Sequence, residues 1–311
     1  MIILIDGNNF LHRILKLPVF FGMNNNGFPT GGIYGFLQTL STSLNKTYRA
    51  NKKFVIWDGK KSQRRMKLYP EYKSNRKPKT ELDIKMSEEY FTNFNLQKDI
   101  LMNQALPYLG CMSVCFPTKE ADDVTYQLAK YYSKIEDEVL ILSEDSDLLQ
   151  IINEFPNVKV YRPIKESLIT KDNFKDELGI EKELFLIRKA ISGDKSDYIK
   201  GIEGIGEVTA QKIAENLNSQ DPIISLLEYS KKPLTGREKK IKDGWGIISR
   251  NLELMELKRE EFLDSELEAL KIAINAFTPT IYRNNFRQIC NTFSFESILR
   301  DFDYWMHTFE K

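Results

Sequence analysis

Five short apolar runs, at residues 1–5 (MIILI), 53–57 (KFVIW), 112–116 (MSVCF), 138–142 (EVLIL) and 158–161 (VKVY), are the strongest constraint on the fold of this chain. Each is rich in β-branched or aromatic residues and bounded by polar ones, the pattern of a strand buried on both faces. The segments between them are long enough for helices. Strands alternating with helices predict an α/β fold, a twisted and mainly parallel sheet with helices on both faces. From about residue 182 the pattern turns helical and glycine-punctuated, and the one later strand signal is Thr292–Phe295. Ligands of such sheets bind beyond the carboxyl ends of the strands. Asp6 and Asp58 directly follow the first and second runs and Asp145 lies just past the fourth, so three carboxylates fall on that edge.

The residue inventory narrows the chemistry. At 311 residues and 41% hydrophobic content the chain can bury a genuine core. The opening apolar run is too short for a signal segment, and no stretch approaches a membrane span, so the expectation is a cytoplasmic protein without membrane contact. The cysteines Cys111, Cys115 and Cys290 lack motif spacing and read as free thiols of a reducing compartment. With only His12 and His307, zinc and Ser-His chemistry are poorly supplied, leaving carboxylates to carry any reaction.

Acids recur in tight groups: Glu120, Asp122 and Asp123 in KEADD, Asp145 and Asp147 in SEDSD, Asp194 and Asp197 in SGDKSD. Helix caps explain such a group singly, because orphan amides and the helix dipole favour acids there. Three groups together with Asp6 and Asp58 are not explained that way. If all nine acids converge, the cluster must either raise its pKa values or bind divalent cations, and hard oxygen ligands favour Mg²⁺ or Mn²⁺. Two such ions would serve hydrolysis of a phosphodiester.

The net charge of +1 hides a basic stretch at residues 60–79, with nine Lys or Arg against one Glu. Within it Arg64, Arg65, Lys67, Lys73 and Arg76 interleave with Tyr69 and Tyr72, a composition suited to gripping a phosphate backbone and stacking bases. Its position just after Asp58 favours that reading over a merely solvated face, and Lys73 or Arg76 is placed to reach a scissile phosphate. The segment Gly201–Leu217 (GIEGIGEVTAQKIAENL) reads as a glycine turn feeding a helix whose free amino-end N–H groups bind phosphate without base specificity. A plain helix hairpin is the competing reading. Residues 231–250, with seven basic residues against two acids, continue the basic surface.

Read in order, IDGNNFLHR, GFPTGGIYGFLQTL, WDGKKSQRRMKLYPEYKSNRK, KEADD, SEDSDLLQ and ISGDKSDYIKGIEGIGEVTAQKI resemble the flap endonuclease family of structure-specific 5′ nucleases. The likeness is to the phage flap endonuclease/ribonuclease H type and to the 5′ nuclease domain of bacterial DNA polymerase I. It implies a PIN-like nuclease domain, a basic helical arch that passes the 5′ strand, and a helix-3-turn-helix holding duplex phosphates with a K⁺ ion. By motif position Asp6, Asp58, Glu120, Asp122 and Asp123 fall to a first metal region and Asp145, Asp147, Asp194 and Asp197 to a second, with the sharing of Asp145 left open. Lys73 and Arg76 match basic arch residues near the scissile phosphate. Arg64, Arg65, Lys67, Tyr69 and Tyr72, with Gly201, Gly204, Gly206, Thr209 and Lys212, are the expected nucleic-acid contacts. Tyr198 departs from the family, which usually has Asn there.

The organisation expected is a nuclease domain over 1–185 with its arch at about 60–110, a helical duplex-binding domain over 186–280 with the helix-3-turn-helix at about 186–217, and a segment 281–311 packing back on the nuclease domain. The resemblance implies two Mg²⁺ ions, with Mn²⁺ as substitute. It also implies branched or 5′-ended DNA and RNA–DNA hybrid substrates, a replication role including RNA primer removal, single-strand-binding or clamp partners, and a phage-infected or bacterial cell. A PIN-type ribonuclease would lack the arch and glycine turn, and a catalytically silent branched-DNA-binding protein would have lost carboxylates. Phe302, Tyr304 and Trp305 read as a docked core segment rather than a partner peptide.

Overall fold

The computed structural model describes residues 1–46, 50–76, 81–229, 231 and 236–310; the side chains of Arg76, Glu81 and Leu82 also lie outside the description. Six strands form the main sheet: β1 (Ile2–Asp6), β2 (Lys52–Trp57), β3 (Cys111–Cys115), β4 (Val139–Leu142), β5 (Val158–Arg162) and β6 (Ser167–Ile169). Their spatial order is β3-β2-β1-β4-β5-β6. The first five are parallel and β6 closes the edge antiparallel to β5. All five apolar runs are therefore strands. The sixth, three residues long, is too short to carry an apolar run.

Side chains alternate across a strand, and β1 divides its residues accordingly. Ile2 and Leu4 enter one core with Phe54, Val124, Leu128 and Phe185, while Ile3 and Ile5 enter the other with Phe10, Phe36, Trp57 and Phe286. Helices α1 (Gly7–Leu15), α2 (Gly31–Asn45) and, by Phe94, α4 (Glu81–Ile100) serve the second core. The short helix α3 (Gln63–Leu68) lies between β2 and α4 in sequence. Helix α5 (Ala121–Tyr132) and α6 (Lys182–Ser192) cover the first core, joined by α7 (Glu207–Ala214) and α8 (Trp245–Met255).

Thr292–Phe295 is not a strand. Thr292 ends helix α9 (Arg283–Thr292), and the chain turns through Ser294 at φ 56 to bury Phe295 in the core. Local β propensity yields there to aromatic burial. In helix α10 (Phe302–Glu310) Phe302 and Trp305 are buried, Trp305 stacks 5.1 Å from Phe286 and its indole N–H donates to Gln38 Oε1 at 3.1 Å. Tyr304, by contrast, is 80% exposed. Among the described residues no helix is long and apolar enough to cross a membrane. The three cysteines are free.

Candidate metal centre

The strand order reverses direction between β1 and β4: the chain leaves β1 for β2 on one side and continues from β4 to β5 on the other. A crevice opens at such a switch point, outside the carboxyl ends. Asp6 ends β1, Asp58 follows β2, and Asp145 follows β4. Asp122, in the first turn of α5, completes the group.

Asp6, Asp58 and Asp145 are held by short contacts that the fold supplies. Asp6 caps α1, accepting from the Asn9 N–H at 3.0 Å, and its second oxygen accepts from the Ser143 hydroxyl at 2.8 Å. Asp58 accepts from the Ala121 N–H at 2.7 Å, which ties the end of β2 to the start of α5. Asn8 accepts from the Asp58 N–H at 3.0 Å, and Asp145 accepts from the Asp147 N–H at 2.9 Å. The Asp122 carboxylate accepts no hydrogen bond from the described residues.

The electrostatics are those of a cluster short of positive charge. Burial first, and then the Asp145 and Asp58 charges, push Asp6 up to about 7. Burial and the neighbouring Asp147 raise Asp145 to about 6. Asp122 is driven well above the carboxylate range by burial, then by Asp145, Asp6 and Asp58. Among the described residues no Lys or Arg makes an ion pair with Asp6, Asp58, Asp122 or Asp145. Free oxygens on Asp58, Asp122 and Asp145 face a group that disfavours its own ionisation, and hard divalent cations relieve that condition. No three His, Cys, Asp or Glu side chains among the described residues converge closely enough to hold an ion alone. The donor set therefore suits a hard divalent ion that keeps part of its water shell.

The other five acids do not join this group as free carboxylates. Asp123, fully buried, takes both guanidinium nitrogens of Arg65 at 2.6 and 2.7 Å. Glu120 accepts from the Ser62 N–H, Arg65, the Tyr72 hydroxyl at 2.8 Å and Lys73 at 2.9 Å. Burial raises its pKa, but Lys73 and Arg65 outweigh that and hold it below its usual value. Asp147 and Asp194 both pair with Lys189, and Asp197 lies 3.7 Å from Lys73 Nζ. Burial opposes the charge of Asp194, yet Lys189 brings it down to about 2. The expected convergence of nine acids is thus corrected to four uncompensated carboxylates flanked by five paired ones. Asp123, fully buried with both oxygens turned to Arg65, faces its guanidinium and not the open group.

The basic segment also differs from the reading as an open, substrate-facing surface. Arg65 is buried and donates to Asp123, Glu120 and the Leu254 carbonyl, so it is a clasp between α3, α5 and α8 and not a nucleic-acid contact. Arg64 is tied to Glu260 and to the Glu253 carbonyl. Tyr69 and Tyr72 are buried, Tyr69 under the Arg250 guanidinium at 4.5 Å, so neither offers a face to a base. Lys67 alone of that group is exposed. Lys73 sits at φ 53 with its ammonium turned inward to Glu120. The Arg76 side chain and residues 77–80 of the expected arch lie outside the described residues.

Helices α6 and α7 flank the glycine turn. Gly201 is required there by close approach, since a β-carbon would meet the Ser192 carbonyl oxygen at 2.3 Å, and Gly204 takes φ 75. Gly206 caps α7 without a side-chain acceptor, leaving the helix amino end open, with Thr209 half-buried near it and Lys212 exposed in the last turn. Tyr198 sits at φ 57, a left-handed conformation that Asn tolerates better than Tyr, which accounts physically for Asn as the family's residue. Residues that sequence reasoning missed are Ser143, Asn8, Asn9, Lys189 and Glu260. The GNN after Asp6 was the available signal for the asparagines; nothing local marked Lys189 or Glu260.

Residues 1–179 match the family described as 5′-3′ exonuclease, N-terminal resolvase-like domain. A 5′-3′ exonuclease of Aquifex aeolicus is 30% identical over 301 residues, covering 96% of this chain and 94% of that protein. One from Bacillus subtilis is 29% identical over 262 residues, 82% of each. The thermostable DNA polymerase I of Thermus thermophilus is 31% identical over 271 residues, 86% of this chain but 30% of the polymerase. Among solved structures, T5 5′-exonuclease with bound divalent metal ions (zinc) superposes with a TM-score of 0.70 at 22% identity, covering 89% of this chain and 99% of that one, a likeness of fold. With its sheet, its acidic switch point and these relatives, the chain belongs to the 5′-3′ exonuclease family and is a nuclease.

Proposed function

We propose that this chain is a divalent-metal-dependent, structure-specific 5′ nuclease that hydrolyses phosphodiesters near the 5′ end of branched DNA or RNA primers during replication. The observation that carries the reading is the uncompensated group Asp6, Asp58, Asp122 and Asp145 at the β1/β4 switch point. Those four would hold a first Mg²⁺ or Mn²⁺, with Asp147, Asp194 and Asp197 toward a second. Bound ions of this kind activate a water and neutralise the leaving oxygen. The protein's own part is positional. Ser143, Asn9 and the Ala121 N–H fix the carboxylates. The open amino end of α7, with Gly201, Gly204, Gly206, Thr209 and Lys212, would grip duplex phosphates without reading sequence, and a K⁺ ion at that turn belongs to the same proposal. Clamp or single-strand-binding proteins fit as partners of such an activity.

Cleavage mapping on 5′-flap, nicked, blunt and RNA-primed duplexes tests the proposal. Cuts within a nucleotide or so of the branch, fastest on the flap or primed substrates, support it; equal cutting of all four, or cutting from 3′ ends, contradicts it.

Lys73 enters as the residue facing the scissile phosphate. Its ammonium lies between Glu120 and Asp197, beside the acid group and not in solvent. Because its ammonium is held by Glu120 and Asp197 while the exposed basic residues that attract phosphate remain, Lys73→Ala should leave substrate affinity within about threefold. At saturating substrate the single-turnover rate should fall about a hundredfold or more, the scale for a donor to charge that grows in the transition state. A defect that vanishes at saturation or low salt would make Lys73 a steering residue.

A further inference from the structure

We infer that Lys189 is a tethered counter-ion that occupies the second carboxylate group and keeps a second divalent ion weakly bound until substrate arrives; this rests on the metal reading above. Lys189 lies in the last turn of α6, itself buried and one turn on from Phe185 in a helix that also buries Leu184, Ile187 and Ala190. A lysine there is held by the packing of its own helix and not by chance surface contact. Its ammonium donates to Asp147, which follows β4, and contacts Asp194 Oδ2 at 2.8 Å. Asp194 is brought under it because Gly193, at φ 78, turns the chain back as α6 ends. A β-carbon at Gly193 would meet the Gly201 nitrogen at 2.3 Å, so the return is fixed by the glycine pair.

The contrast with the first group decides the assignment. Asp6, Asp58, Asp122 and Asp145 have no ion pair among the described residues, whereas Asp147 and Asp194 share one buried ammonium. A divalent ion meets unopposed negative charge at the first group. At the second it must displace, or share its ligands with, a cation already in place, and the two positive charges repel in a poorly solvated site. Phosphate oxygens of a bound substrate add the negative charge that makes room for both. The resting protein therefore holds one ion firmly and a second loosely, and Lys189 is a positioning residue that couples the second ion to substrate.

Mn²⁺ binding to the DNA-free protein, followed by titration calorimetry and by the free-Mn²⁺ electron paramagnetic resonance signal, tests this. The wild type is expected to show one tight and one weak class of site. Lys189→Met should tighten the weak class at least about tenfold with little effect on the tight one, since it removes a unit positive charge beside two ligands. Lys189→Arg, which keeps the charge, should bind like the wild type. Lys189→Gln repeats the test with an amide that still donates to Asp194, in case Lys189→Met does not fold. Unchanged weak-site affinity in a folded neutral variant overturns the inference and leaves the metal reading standing. Failure of the wild type to bind any Mn²⁺ overturns the metal reading and this inference with it.

Discussion

Asp145→Asn should lower single-turnover cleavage by about a thousandfold or more, the scale expected when an ion that activates the attacking water is lost. Duplex affinity should stay within a few fold, because the exposed lysines and the α7 amino end that would grip phosphates do not touch Asp145. Stability is predicted to move the other way. Asp145 is held up to about 6 and Asp6 to about 7, both from 3.8, chiefly by burial. A carboxyl whose folded pKa is raised stabilises the fold while protonated. Its contribution is complete below about pH 4 and is lost as pH rises through 6 for Asp145 and through 7 for Asp6. Asparagine abolishes that loss at position 145. In chelator at pH 8 the variant should therefore melt no lower than the wild type, whereas with Mg²⁺ it should gain less. A drop of many degrees in chelator would show that Asp145 holds the fold together instead.

Arg65→Ala should produce the largest loss of stability. The guanidinium and its partner Asp123 are 3% and 0% exposed, and the guanidinium also serves Glu120 and the Leu254 carbonyl. Removing one member of a buried pair strands the other charge, at a cost of about 3–5 kcal/mol. For a chain of this size that is a fall in Tm of roughly 10 °C. The double variant Arg65→Met with Asp123→Leu removes both charges and should recover most of the loss. If Arg65 were instead a nucleic-acid contact, Arg65→Ala would leave Tm unchanged and weaken DNA binding, which differential scanning calorimetry beside a binding titration distinguishes.

How far the sequence reveals this molecule depends on the range of the interactions concerned. The four central strands and the edge strand β3 were legible because their Ile, Val, Leu and Phe write themselves as short apolar runs. Strand β6, only three residues long, has no such signature. The acids were legible at the strand ends because a strand fixes where its last residue points. Their partners were not. Arg65 reaches Asp123 across 58 positions, Lys73 reaches Glu120 across 47, and Lys189 reaches Asp147 across 42. Only the packed fold decides which of nine carboxylates meets a cation. For the same reason a basic run that reads as a phosphate-binding surface splits into a buried clasp at Arg65, a half-buried tie at Arg64 and an exposed Lys67. Tyr72 likewise reads as a stacking platform, yet its hydroxyl is spent on Glu120 and Asp197.

If the acid group at the β1/β4 switch point is a divalent-ion catalytic centre, cleavage depends on the ion bound there. The direct measurement is single-turnover cleavage of a 5′-labelled flap duplex by the wild-type protein, first in excess EDTA and then with Mg²⁺, Mn²⁺ or Ca²⁺ restored. The account predicts no cleavage in EDTA, recovery with Mg²⁺ or Mn²⁺, and none with Ca²⁺, whose larger and looser shell does not suit compact carboxylate sites that activate water. Undiminished cleavage in excess EDTA would contradict it.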